Sequence, residues 1–278
     1  MINLMHGGFN CLACGTKGGD IIQFERLAHG VTFKEALARL TDEQHSQPLP
    51  IVTREPVEVL PEVDPAKAER IIEQTWRWSV PISQGCPVDI YLRKRGLGMS
   101  EYPEALRYHP SLPAYTDGKC VGHYPAMLAK VLGPDGSTVT IHRTYLTTDG
   151  EKALGAQSKR LLPCAFGATM SGAAIRLQPA EDVLYITEGI ETGLAIHRRF
   201  NVPVWCAVTS QGLKKIALPE SIRTVFICGD RDRSGAGQRA TVDAAARFSG
   251  EGREAIMVIS PVEGFDWCDL LRDKNESY

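Results

Sequence analysis

From residue 183 onward the chain repeats one pattern: a short apolar run rich in Val and Ile, a turn, then a stretch of helical periodicity. The runs VLYIT (183–187), VWCAV (204–208), TVFIC (224–228) and AIMVI (255–259) predict four strands of a parallel α/β sheet. Helices are expected over 191–199 and 235–248, the second with Ala240, Ala244 and Ala245 where it packs on the sheet. Upstream the pattern turns antiparallel. Apolar runs at 126–132 and 138–146 are separated by Gly133-Pro134-Asp135-Gly136, and Thr148-Asp149-Gly150 follows; both are strong turn signals, so β-hairpins are expected.

Helical periodicity with proline in the first turn predicts helices over 65–79 and 87–96. Two more are expected near the N-terminus, over 20–28 and 32–40, the second with Thr32 as N-cap and Glu35 three residues on. Residues 42–64 carry four prolines among Glu, Gln and Val and read as an extended linker. The expected organisation is a small module at 1–41, a linker at 42–64, a mixed α+β lobe at 65–180 and a Rossmann-like parallel α/β domain at 181–278.

Charge changes this picture, because acidic residues sit at or just after the ends of the predicted parallel strands. Glu188 and Glu191 follow the first, Asp230 and Asp232 the third, and Asp266 and Asp269 the fourth. Ligands of open α/β sheets bind beyond the carboxyl ends of the strands, so these side chains converge. Asp and Glu after a strand also cap helices. Several like charges at one edge repel unless cations neutralise them, which favours a site for Mg²⁺ or Mn²⁺ at Glu188, Asp230 and Asp232 over capping alone, with Asp266 and Asp269 as further ligands.

The net charge of −2 conceals an uneven distribution. Residues 65–180 hold 14 Lys/Arg against 9 Asp/Glu, whereas residues 1–64 hold 5 against 9 and residues 181–278 hold 12 against 15. A basic segment beside an acidic metal site suits a phosphate backbone, and it also suits a solvated face. Arg93 and Arg95 close a predicted helix, where cations complement the macrodipole or contact phosphate. Trp76, at helical spacing, reads as core or as a base-stacking platform. His142 and Arg143 are adjacent in a strand and face opposite ways.

The 43% hydrophobic and 23% charged content is that of an ordinary globular protein, without an apolar run long enough to span a bilayer and without a signal-peptide pattern; a cytoplasmic location is expected. Of eight cysteines only Cys11 and Cys14 form a close pair. Cys11-x-x-Cys14-Gly15 supplies two of the four ligands that a structural Zn²⁺ wants. Three readings stay open: half of a zinc domain, a site completed by distant ligands, and no metal.

Three motifs together carry a family resemblance: Glu188-Gly189-Ile190-Glu191, Asp230-Arg231-Asp232-Arg233-Ser234-Gly235 and Asp266-Trp267-Cys268-Asp269. In this order and context they resemble the Toprim domain of bacterial-type primases, topoisomerases and some nucleases. The aromatic residue before Cys11-x-x-Cys14-Gly15, with the helix after it, resembles the second half of the primase zinc-binding domain. The run YLRKRGL, LRYHP, PAMLAKV, IHRTYL and DGEKA resembles the lobe that precedes Toprim in phage and mobile-element primases. This implies a template- and nucleotide-binding lobe across a cleft from the metals, with Lys159, Arg143 and Arg160 as basic residues toward the active site.

The resemblance further implies Glu188 as metal ligand or proton acceptor, single-stranded DNA and ribonucleoside triphosphates as partners, and a separate replicative helicase. No Gly-x-x-x-x-Gly-Lys-Ser/Thr is present for a fused motor, and the chain leaves no room for the tyrosine domain of a topoisomerase. The expected activity is primer synthesis by metal-dependent phosphoryl transfer. A Toprim nuclease and a non-catalytic single-strand-binding accessory protein are the alternatives.

Overall fold

The computed structural model describes residues 9–10, 17–18, 20–41, 65–116, 118–230, 235–260 and 267. It divides into two units, 1–60 and 61–278. Cys11, Cys14, the expected linker, Asp232, Asp266 and Asp269 lie outside the described residues.

In the first unit, β1 (Phe9–Asn10) and β2 (Lys17–Gly18) pair antiparallel ahead of α1 (Ile21–His29) and α2 (Phe33–Thr41). Local chemistry sets the helix ends. The Asp20 carboxylate accepts from the Gln23 amide at 2.7 Å and starts α1. Thr32 and Glu35 form the expected capping box: the Thr32 amide donates to Glu35 Oε2 at 2.8 Å, and the Glu35 amide donates to Thr32 Oγ1 at 3.4 Å. Gly30, at φ 64°, ends α1 in the left-handed conformation that glycine adopts without steric cost.

The second unit begins with α3 (Pro65–Arg77) and α4 (Pro87–Lys94). An antiparallel sheet follows, in the order β3 (Leu106–Thr116), β4 (Lys119–Leu132), β5 (Thr138–Tyr145), β6 (Lys159–Leu161). The hairpin expected at Gly133-Pro134-Asp135-Gly136 joins β4 to β5. Thr148-Asp149-Gly150 turns the chain but starts no ladder beyond one bridge, Leu146 to Lys152. A Cβ on Gly150 would lie 2.7 Å from the Tyr91 backbone nitrogen, so this turn is pressed onto α4. The chain then passes a 3₁₀ turn at Gly155–Gln157 before β6 completes the sheet.

The parallel sheet has the order β11-β10-β8-β9-β7, from β7 (Ile175–Arg176), β8 (Val183–Thr187), β9 (Val204–Cys206), β10 (Thr224–Gly229) and β11 (Glu254–Ile259). All pairs are parallel except β7 with β9, an antiparallel edge that the hydrophobic pattern does not reveal because β7 is two residues long. The helices are α5 (Ile190–Phe200), α6 (Ser210–Lys215) and α7 (Ala236–Gly250).

Period-two alternation divides the work of this sheet. Leu184, Ile186, Val225 and Ile227 face Ala240, Ala244 and Phe248 of α7. The opposite face joins α5 to the lobe: Ile190, Leu194, Cys206 and Cys228 share one core with Val88, Tyr91 and Leu92 of α4 and with Met127, Ala129 and Val131 of β4. The far side of the lobe sheet packs separately, with Ala126, Leu128, Ile141 and Tyr145 against Ile72 of α3. The lobe thus meets the parallel sheet through a continuous apolar seam, and that seam places the polar groups described next.

Candidate active site

β8 and β10 are neighbours, with Thr187 in register with Cys228. Glu188 is the first residue after β8 and Asp230 the first after β10, so both carboxylates leave the same edge of the sheet from adjacent strands about 4.8 Å apart. Both are half-buried. Asp230 Oδ1 lies 3.5 Å from the hydroxyl of Thr192, in the first turn of α5. Gly189, the N-cap of α5, has φ −104°, which any residue adopts. Gly193 does need to be small, since a Cβ there would meet Cys206 Sγ at 2.6 Å. Close packing of α5 on the sheet therefore fixes the turn that carries Glu188 and Thr192.

Glu191 does not join the open acidic edge. Its side chain is buried, and its two oxygens are taken by groups from the lobe: Tyr91 Oη donates to Oε1 at 2.7 Å and Lys159 Nζ donates to Oε2 at 2.8 Å. Burial raises the carboxyl pKa, but the Lys159 charge and hydrogen bond and the Tyr91 hydroxyl outweigh it and hold the group down at about 2. His142 lies in the same seam. Burial pushes its imidazole down to about 4, Glu191 opposes that shift, and Lys159 and Arg143 add to it.

Protonating His142 is thus unfavourable in the fold. Its folded pKa lies below the ordinary 6.5, so the unfolded chain binds the extra proton between about pH 6.5 and 4. Stability is complete above that window and falls through it, by roughly 2–3 kcal/mol. Unfolding midpoints recorded from pH 7.5 to 4.5 are expected to drop more steeply for the native chain than for His142→Gln.

The remaining basic residues are distributed differently from the sequence expectation. β5 and β6 pair Thr144 with Lys159 and Arg143 with Arg160. Lys159 therefore faces the parallel sheet, while Arg143 and Arg160 fall on the α3 side with Tyr145. There Arg143 donates to Tyr145 Oη at 2.9 Å and to the Leu161 carbonyl at 2.7 Å. Arg160 donates to the Gln157 carbonyl at 3.0 Å and to the Tyr115 carbonyl. Neither comes to the carboxylate edge, because one residue of register separates the two faces.

Arg93 is committed as well. Its Nε lies 2.9 Å from both oxygens of buried Asp89, which also accepts from Tyr102 Oη at 2.7 Å and from the Gly85 amide at 2.8 Å. It pairs with this buried carboxylate, a role that neither the macrodipole nor the phosphate reading contained. The Arg95 guanidinium stands over the Tyr91 ring at 5.9 Å. Trp76 is half-buried with Lys130 Nζ 4.3 Å and Arg107 Cζ 5.2 Å from its ring centroid, so cations already occupy it. Thr209 caps α6, its hydroxyl accepting from the Gly212 amide at 2.9 Å.

Among the described residues no three His, Cys, Asp or Glu side chains gather to hold a metal, and the five cysteines found there are free. Glu188 and Asp230 nonetheless offer the hard oxygen donors that Mg²⁺ takes one or two at a time alongside substrate phosphates.

Residues 183–277 match the Toprim domain family. The chain carries a Toprim domain. Residues 66–176, the lobe, match a domain of unknown function, DUF7146. A search of curated proteins returns no match. Among solved structures, the zinc-binding and RNA polymerase domains of the Aquifex aeolicus primase align over 99% of this chain and 72% of that one, at 17% identity and TM-score 0.51. The DnaG catalytic core aligns over 75% and 74%, at 15% identity and TM-score 0.46. The E. coli primase catalytic core aligns over 76% and 70%, at 15% identity and TM-score 0.40. The first of these alignments shows a shared fold with those A. aeolicus domains. No helix among the described residues is long and apolar enough to cross a membrane.

Tyr91 and the pairing of Glu191 with Lys159 escape sequence reasoning, because 100 residues separate Tyr91 from Glu191 and no motif links them.

Proposed function

We propose that this chain is a primase-like nucleotidyltransferase that joins ribonucleotides on a single-stranded DNA template. The observation that carries the reading is the convergence of Glu188 and Asp230 on one sheet edge, with Lys159 brought to the adjoining turn of α5 by the lobe. The Toprim match and the fold likeness to the zinc-binding and RNA polymerase domains of the A. aeolicus primase support it. A fold alone hosts many chemistries, so the activity rests on these side chains.

In this reading Glu188 and Asp230, joined by Asp232, Asp266 and Asp269, would hold Mg²⁺ or Mn²⁺. When bound, such ions neutralise charge on the attacking and leaving oxygens of an in-line displacement. The side chains of the chain do the rest. Thr192 orients the Asp230 carboxylate. Lys159, with a side chain 40% exposed, offers its ammonium to the triphosphate as a point charge. Glu188 either completes that metal site or, in its place, accepts the proton of the attacking 3′-hydroxyl. Zn²⁺ at Cys11 and Cys14 remains part of the proposal for the first unit and takes no part in this chemistry.

Incubation with single-stranded DNA, Mg²⁺ and labelled ribonucleoside triphosphates tests the reading. Short labelled oligonucleotides are expected. Degradation of the DNA would assign a nuclease instead, and binding without either product would assign an accessory protein.

A further inference from the structure

The Tyr91–Glu191–Lys159 cluster has a geometry that a simple charge neutralisation does not require. Its three members come from α4, α5 and β6, so it bridges the lobe and the Toprim sheet. Glu191 is only 5% exposed, and a buried carboxylate left unpaired is costly. Lys159 therefore stays on it. Yet the lysine side chain is 40% exposed, and Glu191 is its partner among the described residues. One of the three ammonium protons goes to Glu191; the others are available to a ligand.

The place of the cluster on α5 relates it to the carboxylate edge. Glu191 is followed by Thr192, whose hydroxyl reaches Asp230. Glu191 stands in the first turn of α5, three residues after Glu188, so the ammonium it holds lies by the end of the sheet from which the carboxylates leave. A lysine on a flexible four-carbon stem otherwise samples many rotamers, and holding it in one place removes an ordering cost from ligand binding. Tyr91 occupies the second carboxylate oxygen and so fixes the orientation of the first.

We infer that Glu191 and Tyr91 are positioning residues that hold Lys159 against the phosphates of a nucleoside triphosphate at the Glu188–Asp230 edge. This rests on the nucleotidyltransferase reading above. It also carries a sign that ordinary electrostatics does not. Removing a nearby negative charge should tighten the binding of an anion, whereas removing the anchor of a positioned cation should weaken it.

The test is calorimetric titration of the full chain with ATP and Mg²⁺, run beside titration with an oligothymidylate. Glu191→Gln is expected to weaken ATP binding about tenfold. Tyr91→Phe is expected to weaken it about threefold, and to add nothing in the Glu191→Gln background, since it acts through Glu191. Oligothymidylate affinity should hold within about twofold throughout. Unchanged or tighter ATP binding by Glu191→Gln would overturn the positioning role and leave the nucleotidyltransferase reading standing. Should that variant not fold, unchanged ATP binding by Tyr91→Phe overturns the positioning role equally. A native chain that binds no ATP would remove both.

Discussion

Asp230→Ala is expected to lower ribonucleotide joining by about a hundredfold to a thousandfold, the loss typical when a group that stabilises developing charge is removed. The same change should move the thermal midpoint by no more than ~2 °C. The two expectations belong together. Asp230 is half-buried just past the end of β10, beside the strand that carries Glu188, where two like charges leave the same edge of the sheet. A structural carboxylate behaves in the opposite way. Asp89 is buried and accepts from Arg93, Tyr102 and Gly85, and its pKa stays low although burial raises it, because those bonds prevail. Removing Asp89 should destabilise the fold before it affects any chemistry. Paired measurements of activity and melting on Asp230→Ala and Asp89→Ala distinguish the roles; a large melting shift for Asp230→Ala would make it structural.

Gly229→Ala should destabilise the chain by roughly 3 kcal/mol, at the upper end of ordinary overpacking. A Cβ at this position would lie 2.2 Å from Thr241 Oγ1, far inside contact distance. Thr241 cannot retreat freely, since it is fully buried on α7 and its hydroxyl donates to the Gly237 carbonyl at 2.9 Å. Relief requires α7 to move off the sheet or the end of β10 to shift, and the residue that shifts next is Asp230. Activity should therefore fall beyond what the unfolded fraction explains. Denaturant unfolding with activity measured well below the midpoint checks this. Thr241→Ala in the same chain should restore much of the stability by removing the obstructing hydroxyl, and an unimproved double variant would contradict the steric account.

The parallel sheet was readable because its signals are local. Each strand is an apolar run bounded by a turn, and the acidic residues stand at the run ends, so β8, β10 and β11 and the places of Glu188 and Asp230 follow from adjacent residues. The capping box at Thr32 and Glu35 is legible for the same reason. What escaped depends on register and on distance along the chain. Arg143 and Lys159 look equivalent in sequence, yet the pairing of β5 with β6 puts them on opposite faces. Glu191 looks like one more member of an acidic cluster, yet α5 turns it inward against Tyr91 and Lys159. Arg93 looks like a helix-terminal cation or a phosphate ligand until Asp89, four residues earlier, is seen to be buried.

In the proposed function these carboxylates and Lys159 join ribonucleotides on a template. This is tested most directly by offering the chain a homopolymeric oligothymidylate with Mg²⁺ and all four labelled ribonucleoside triphosphates, then analysing product composition. The account predicts short oligonucleotides that contain adenosine alone and that disappear in Asp230→Ala. Products of mixed composition, or products equally abundant without the template, would contradict it.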